Sequence, residues 1–178
     1  MGNRQYKHIE GVSVIAQFAE ENGLHYRYRL EVNLQTRKIS GKTACVVMQN
    51  PSYAGEDVAD KSVQFMEKVV FQKEFPEFRD VRRLIVVNQF ARIQTNYFQG
   101  LSLDIGVNNN SVIKDALQES DIIIIAWGSG NGFDERKAFV FGLLHEMNNK
   151  QLLQTKMHPS RGQYRGFLQY LTLPQISE

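Results

Sequence analysis

The sequence predicts an α/β fold: a three-layer α/β/α arrangement with a mostly parallel central sheet and an N-terminal β-hairpin extension. Three observations carry that expectation. From residue 43 onward, β-prone runs alternate with segments of helical apolar spacing. The run 122–126 is apolar throughout and mostly β-branched, as a parallel strand buried on both faces requires. Near the N-terminus, Asn22-Gly23 separates two strand-like arms, a strong hairpin signal.

The elements follow in order. Segments 12–20 and 25–34 flank the hairpin turn. In the second arm Tyr26, Tyr28, Leu30, Val32 and Leu34 alternate with more polar residues, which fits a half-buried strand. The first arm suits either a strand or a short helix. After the Ser40-Gly41 turn, 43–48 reads as a strand that stops at Asn50-Pro51, because proline cannot donate to a sheet ladder. Segment 60–71 carries Val63, Met66, Val70 and Phe71 near helical spacing, with Asp60 or Ser62 as its cap. Strand 84–87 ends at Asn88, and 111–118 reads as a helix. Strand 122–126 ends at Trp127-Gly128-Ser129-Gly130, and 134–149 forms the next helix. Strand 152–155 precedes His158-Pro159-Ser160, and a last helix is expected within 164–171.

Composition narrows the classes. The 178 residues are 42% hydrophobic and 22% charged, which suits one folded domain over residues 1–178 and argues against disorder. No stretch approaches the ~20 apolar residues of a membrane span. The polar N-terminus lacks a signal-peptide pattern. The one cysteine, Cys45, excludes an intrachain disulfide and any four-cysteine metal site from this chain. A reducing cytoplasm is the expected location. Net charge is only +2, but Lys156, His158, Arg161 and Arg165 cluster in a stretch with no acid between Glu146 and Glu178. Such a patch suits phosphates, and it equally suits a plain solvated surface.

In doubly wound sheets, ligands bind outside the carboxyl ends of the strands. Here each expected parallel strand ends in a polar or glycine-rich segment: Gln49-Asn50-Pro51-Ser52, Asn88-Gln89-Phe90, Trp127-Gly128-Ser129-Gly130 and His158-Pro159-Ser160. Singly, each reads as a turn, a strand stop, a core tryptophan or a surface histidine. Their convergence at one sheet edge points to a site. A strand-end amide can read the edge of a base, a histidine can stabilise charge on a departing group, and an aromatic ring can stack on a base face. The glycine-rich loop lacks a Walker lysine and the dinucleotide spacing. His8, His25, His145 and His158 make no metal spacing with Cys45, and Ser129 lacks a nucleophile-elbow context.

In this order, the four segments resemble the motifs of the uracil-DNA glycosylase superfamily. Met48-Gln49-Asn50-Pro51-Ser52-Tyr53 stands where those enzymes carry their water-activating motif. Asn88 matches a base-reading asparagine, and Ile125-Ala126-Trp127-Gly128 matches in part a Leu-Trp-Gly run. His158-Pro159-Ser160-Arg161-Gly162-Gln163-Tyr164-Arg165-Gly166-Phe167 is similar to a His-Pro-Ser-Pro-Leu-Ser-x-Tyr-Arg-Gly-Phe signature. The same series resembles a bacterial and phage domain family of unassigned function. The first resemblance implies hydrolysis of the N-glycosidic bond of a flipped-out nucleotide in double- or single-stranded DNA, with no metal or organic cofactor. Asn50 would hold the water, with Asp57 or Asp60 as base, because the catalytic aspartate's position holds an asparagine. His158 would donate to the leaving base. Gln49, Tyr53, Asn88, Phe90 and Trp127 would contact the base. Ser160, Arg161, Gln163 and Arg165 would contact DNA, with Arg161 or Gln163 in place of the missing wedge leucine. These departures shift the expected substrate from plain uracil toward a modified base, such as a hypermodified cytosine of phage DNA, and hence toward anti-phage defence. The alternatives are a non-catalytic nucleic-acid or nucleotide-binding module and an enzyme acting on free nucleosides.

Overall fold

A computed structural model describes residues 5–36, 40–130 and 132–175. One seven-stranded sheet runs through it in the order β1-β2-β4-β3-β5-β6-β7. The strands are β1 (Val12–Glu21), β2 (Leu24–Leu34), β3 (Lys42–Met48), β4 (Val81–Asn88), β5 (Ile122–Ile125), β6 (Gln151–Thr155) and β7 (Leu168–Tyr170). Helices α1 (Lys61–Phe71), α2 (Ser102–Ile105), α3 (Asn109–Gln118) and α4 (Asp134–His145) lie in the connections. The fold is mixed α/β.

The expectation of a mostly parallel sheet needs correction. Three junctions are parallel (β4-β3, β3-β5 and β5-β6) and three are antiparallel (β1-β2, β2-β4 and β6-β7). The expected N-terminal hairpin is present as β1 and β2, and it joins the main sheet. Its second strand pairs along β4, with Leu30 opposite Val86 and Val32 opposite Leu84, and so covers that edge. At the opposite edge, the helix expected within 164–171 is instead strand β7, with Leu153 opposite Tyr170 and Thr155 opposite Leu168. Gly162 and Gly166 weaken a helix there, Gly166 takes φ +63°, and the open edge of β6 offers backbone partners that a short helix would forgo.

Strand alternation sorts the apolar side chains between two cores. Ala44, Val46, Leu84, Val86, Ile122 and Ile124 pack with Val63, Met66, Val69 and Val70 of α1. Cys45, Val47, Ile85, Val87, Ile123 and Ile125 pack with Ile113, Ala116 and Leu117 of α3 and with Val140 and Leu144 of α4. Asp60 starts α1 by accepting the Val63 N–H at 2.8 Å, a cap worth about 1 kcal/mol. Burial pushes the Cys45 thiol up to about 12, so it stays a neutral core group. Among the described residues, no helix is long and apolar enough to cross a membrane.

One irregularity positions the site. The β1–β2 register slips between Gln17 and Phe18, which face Arg29 and Arg27, so Tyr28 is left without an opposite residue. A bulge of this kind exchanges the two faces of a strand. Leu30 and Val32 pack on the α1 side, whereas Tyr26 and Tyr28 pack with Val112 of α3. Beyond the bulge, Arg27 is therefore turned to the α1 side, toward the segment between β3 and α1.

Candidate functional site

The carboxyl ends of β3, β4, β5 and β6 lie along one edge of the sheet, because these strands run parallel. A cavity of about 620 Å³ opens there. Eight of the expected residues line it: Gln49, Asn50, Tyr53, Asp60, Trp127, His158, Ser160 and Arg161.

Asn50 is held from both ends of its amide. Its Nδ2 donates to Gln94 O at 2.6 Å, and its Oδ1 accepts from Gln49 Nε2 at 3.2 Å. Asp60 is buried at the head of α1, and its second carboxylate oxygen accepts the Ser52 hydroxyl at 2.8 Å. His158 follows β6 and begins a 3₁₀ turn, Pro159–Arg161. The Ser160 backbone N–H donates to His158 Nδ1 at 3.2 Å. A nitrogen that accepts an N–H carries no proton, so the neutral imidazole holds its hydrogen on Nε2. Burial lowers the His158 pKa, the Arg161 charge lowers it further, and Asp60 only partly opposes them. His158 is thus a neutral donor on the cavity wall. Gly128 allows this packing: it takes φ +84°, and a Cβ there would lie 3.2 Å from His158 Cβ. Trp127 lines the cavity and meets Phe141 of α4 edge to face at 5.3 Å between centroids.

Five expected residues lie elsewhere. Asp57 is exposed on the connection before α1 and does not line the cavity, which leaves Asp60 as the carboxylate on its wall. Asn88 is buried at the end of β4, where its Oδ1 accepts from Arg27 Nη2 at 3.2 Å. Phe90 is buried among Phe98 and Phe133, edge to face at 5.1 and 4.8 Å. Gln163 and Arg165 are exposed beyond the 3₁₀ turn and outside the lining.

The wall also includes residues the sequence reading did not single out: Tyr6, Arg27, Lys61, Gln94 and Thr95. Arg27 is the consequential one. It is 1% exposed, donates to Ala54 O at 3.0 Å, and burial lowers its pKa to about 10, against the attraction of Asp60. It therefore stays charged at neutral pH. Its signal in the sequence is an arginine inside a Tyr-Arg-Tyr run, but the bulge that turns it inward has no sequence mark. Tyr6 arrives on an N-terminal segment tied down by His8. His8 Nδ1 meets Glu67 Oε1 at 2.5 Å and Nε2 meets Gly55 O at 2.7 Å. Ile9 N–H adds a bond to Glu67 Oε2 at 3.0 Å, and the Ala59 N–H donates to Tyr6 O at 3.1 Å.

No curated protein and no solved structure matches the chain. One family matches residues 27–163, more than half of the chain, in keeping with the resemblance to a family of unassigned function. Among the described lining residues, Tyr6 alone falls outside the matched segment. The chain belongs to the family described as "Protein of unknown function (DUF1643)".

Proposed function

We propose that this chain is a DNA glycosylase, a distant member of the uracil-DNA glycosylase superfamily built as a three-layer α/β/α domain and acting in the cytoplasm. It hydrolyses the N-glycosidic bond of a flipped-out nucleotide and leaves an abasic site. The observation that carries this reading is His158, fixed as a neutral imidazole whose Nε2–H is left for a ligand, in one cavity with Asn50 and Asp60.

Breaking the bond builds oxocarbenium character on the sugar and negative charge on the base. A preorganised donor such as His158 favours the charged base over the ground state. Asp60 faces the opposite need, as a carboxylate able to stabilise positive charge on the sugar. Asn50, with its amide fixed at both ends, orients the water. Arg161 and Ser160 at the mouth are suited to phosphate oxygens. Flipping costs roughly a few kcal/mol and is cheapest for a poorly paired or altered base. The departures of the motifs from the uracil-specific pattern favour a modified base, such as a glucosylated cytosine of phage DNA, as substrate and a role in phage defence, and a cavity of about 620 Å³ has room for a flipped nucleotide carrying one.

One observation favours a second reading, a nucleotide-binding module without catalysis. Both oxygens of Asp60 already accept hydrogen bonds, from Ser52 and from the Val63 N–H, which gives the carboxylate a capping role apart from any chemistry. The deciding experiment is abasic-site formation on DNAs carrying unmodified, uracil, mismatched and glucosylated hydroxymethylcytosine bases. Cleavage of one of them that His158→Ala and Asn50→Ala both lose supports the glycosylase. Binding of DNA by folded protein with no abasic site on any of them replaces it with the module.

A further inference from the structure

The hydrogen bonds at the cavity floor do not close within the protein. Arg27 has five N–H groups. One Nη1 hydrogen goes to Ala54 O and one Nη2 hydrogen to Asn88 Oδ1. Its Nε is buried with no acceptor among the described residues. Beside it, Asn88 Nδ2 is a second buried donor with no acceptor. Buried polar atoms in folded proteins nearly always find partners, and buried cations nearly always meet a carboxylate. Among the described residues, Arg27 makes no ion pair. Asp60 attracts it from a distance but gives its oxygens to Val63 and Ser52. The other charged or titratable groups on the wall are Lys61, Arg161, His158 and Tyr6 with Tyr53, and none of them offers a carboxylate. The buried guanidinium and its asparagine thus carry two donors without acceptors and a positive charge with no carboxylate bonded to it.

We propose that Arg27, held from behind by Asn88, forms an anion subsite, and that the group it takes is a flat, acceptor-rich face bearing negative charge. The choice of ligand rests on the glycosylase reading: the group is the departing base. As the C1′–N bond breaks, its electron pair stays on the base nitrogen. The water oxygen bonds to C1′ and its proton passes to solvent, and the released base takes a proton from solvent. His158 donates a hydrogen bond without giving up its proton, and Arg27 supplies the countercharge. The structure thereby gives Asn88 a positioning role in place of direct base reading: it holds the guanidinium at the floor.

The same chemistry would suit a phosphate, and the test separates the two sources. Trp127 is the chain's only tryptophan and lines the cavity, so its emission reports occupancy. The full chain is titrated with uracil, with the more acidic 5-fluorouracil and with inorganic phosphate across neutral to mildly alkaline pH. The expected result is an affinity for 5-fluorouracil that rises about tenfold as that base ionises, a smaller rise for uracil, and no competition from phosphate. Arg27→Gln flattens the rise. Asn88→Asp, nearly isosteric, sets a carboxylate against the guanidinium. It keeps or raises the thermal midpoint and loses the rise, which separates anion binding from folding.

An Asn88→Asp protein that binds like the wild type overturns the subsite. Competition by phosphate with no pH-dependent gain overturns its assignment to the base. Abasic-site assays on the same proteins keep the two ideas apart. Wild type that binds the ionised base but forms no abasic site sinks the glycosylase and leaves the subsite standing. Abasic sites formed at unchanged rates by both variants sink the subsite and leave the glycosylase.

Discussion

His158 can serve as a hydrogen-bond donor in its neutral form only if nothing else takes its Nε2 hydrogen and nothing protonates Nδ1. The Ser160 N–H guards the second condition, and burial with the nearby Arg161 charge reinforces it by disfavouring the imidazolium. Because its pKa is lowered, the neutral form persists as pH falls through the ordinary histidine value of 6.5. The acid limb of a kcat/KM profile should therefore lie below that value, and His158→Ala should lower kcat/KM by roughly 10²–10³-fold with little change in the thermal midpoint. At this scale the sequence was informative where a residue sits right after a strand. Asn50, Trp127 and His158 could be placed from the ends of apolar runs. Arg27 could not, because a bulge one residue away decides its face. Asn88 was placed at the right strand end, but its side chain turns to Arg27 instead of the cavity.

Between elements, the N-terminal segment, α1 and the connection before it are joined by one histidine, His8. Both His8 ring nitrogens face oxygen atoms, Glu67 Oε1 and Gly55 O, an arrangement that favours the doubly protonated ring. Burial works against that charge, but the bonds to Glu67 and Gly55 and the Glu67 charge outweigh it and raise the His8 pKa. The contact therefore stabilises the fold fully below about 6.5, and its contribution is lost as pH rises through the raised folded value. The gap in thermal midpoint between wild type and His8→Ala should narrow from about pH 6 to about pH 9. A gap that widens over that range would refute this account. At the other end of the site, Gly128→Ala should cost about 1–2 kcal/mol, since it forces a side chain into left-handed backbone against His158. Denaturant melts check the cost, and activity should fall further than stability accounts for. Helices α1, α3 and α4 and strands β3 to β6 were legible from periodicity, whereas α2 and β7 were not. α2 spans only Ser102–Ile105, too short for a period to register. β7 depends on a free edge of β6, which exists only once the sheet has formed.

For the whole molecule, the basic residues near the C-terminus matter more than the net charge of +2. Arg161 and Arg165 are both exposed, Arg161 at the cavity mouth and Arg165 beyond it. If both contact phosphates, Arg161→Ala/Arg165→Ala should reduce the slope of log affinity for DNA against log salt by about 1.8. An unchanged slope would place the DNA on another face. Fold class followed from the alternation of strands and helices, but the direction of the outer strands did not. Local pattern gives a strand its faces, and its partner gives it its direction.

The cavity draws on residues from Tyr6 to Arg161, and its histidine follows the last strand but one. During synthesis, the chain emerges with Arg27 and Asn50 long before His158. A nascent or truncated polypeptide that stops before β6 therefore lacks His158, Ser160 and Arg161 from the cavity wall, however well its earlier strands have paired. Long-range closure of this kind is slow relative to local helix formation. On the glycosylase reading proposed above, completeness of folding would act as the safety catch, with reactivity confined to finished molecules.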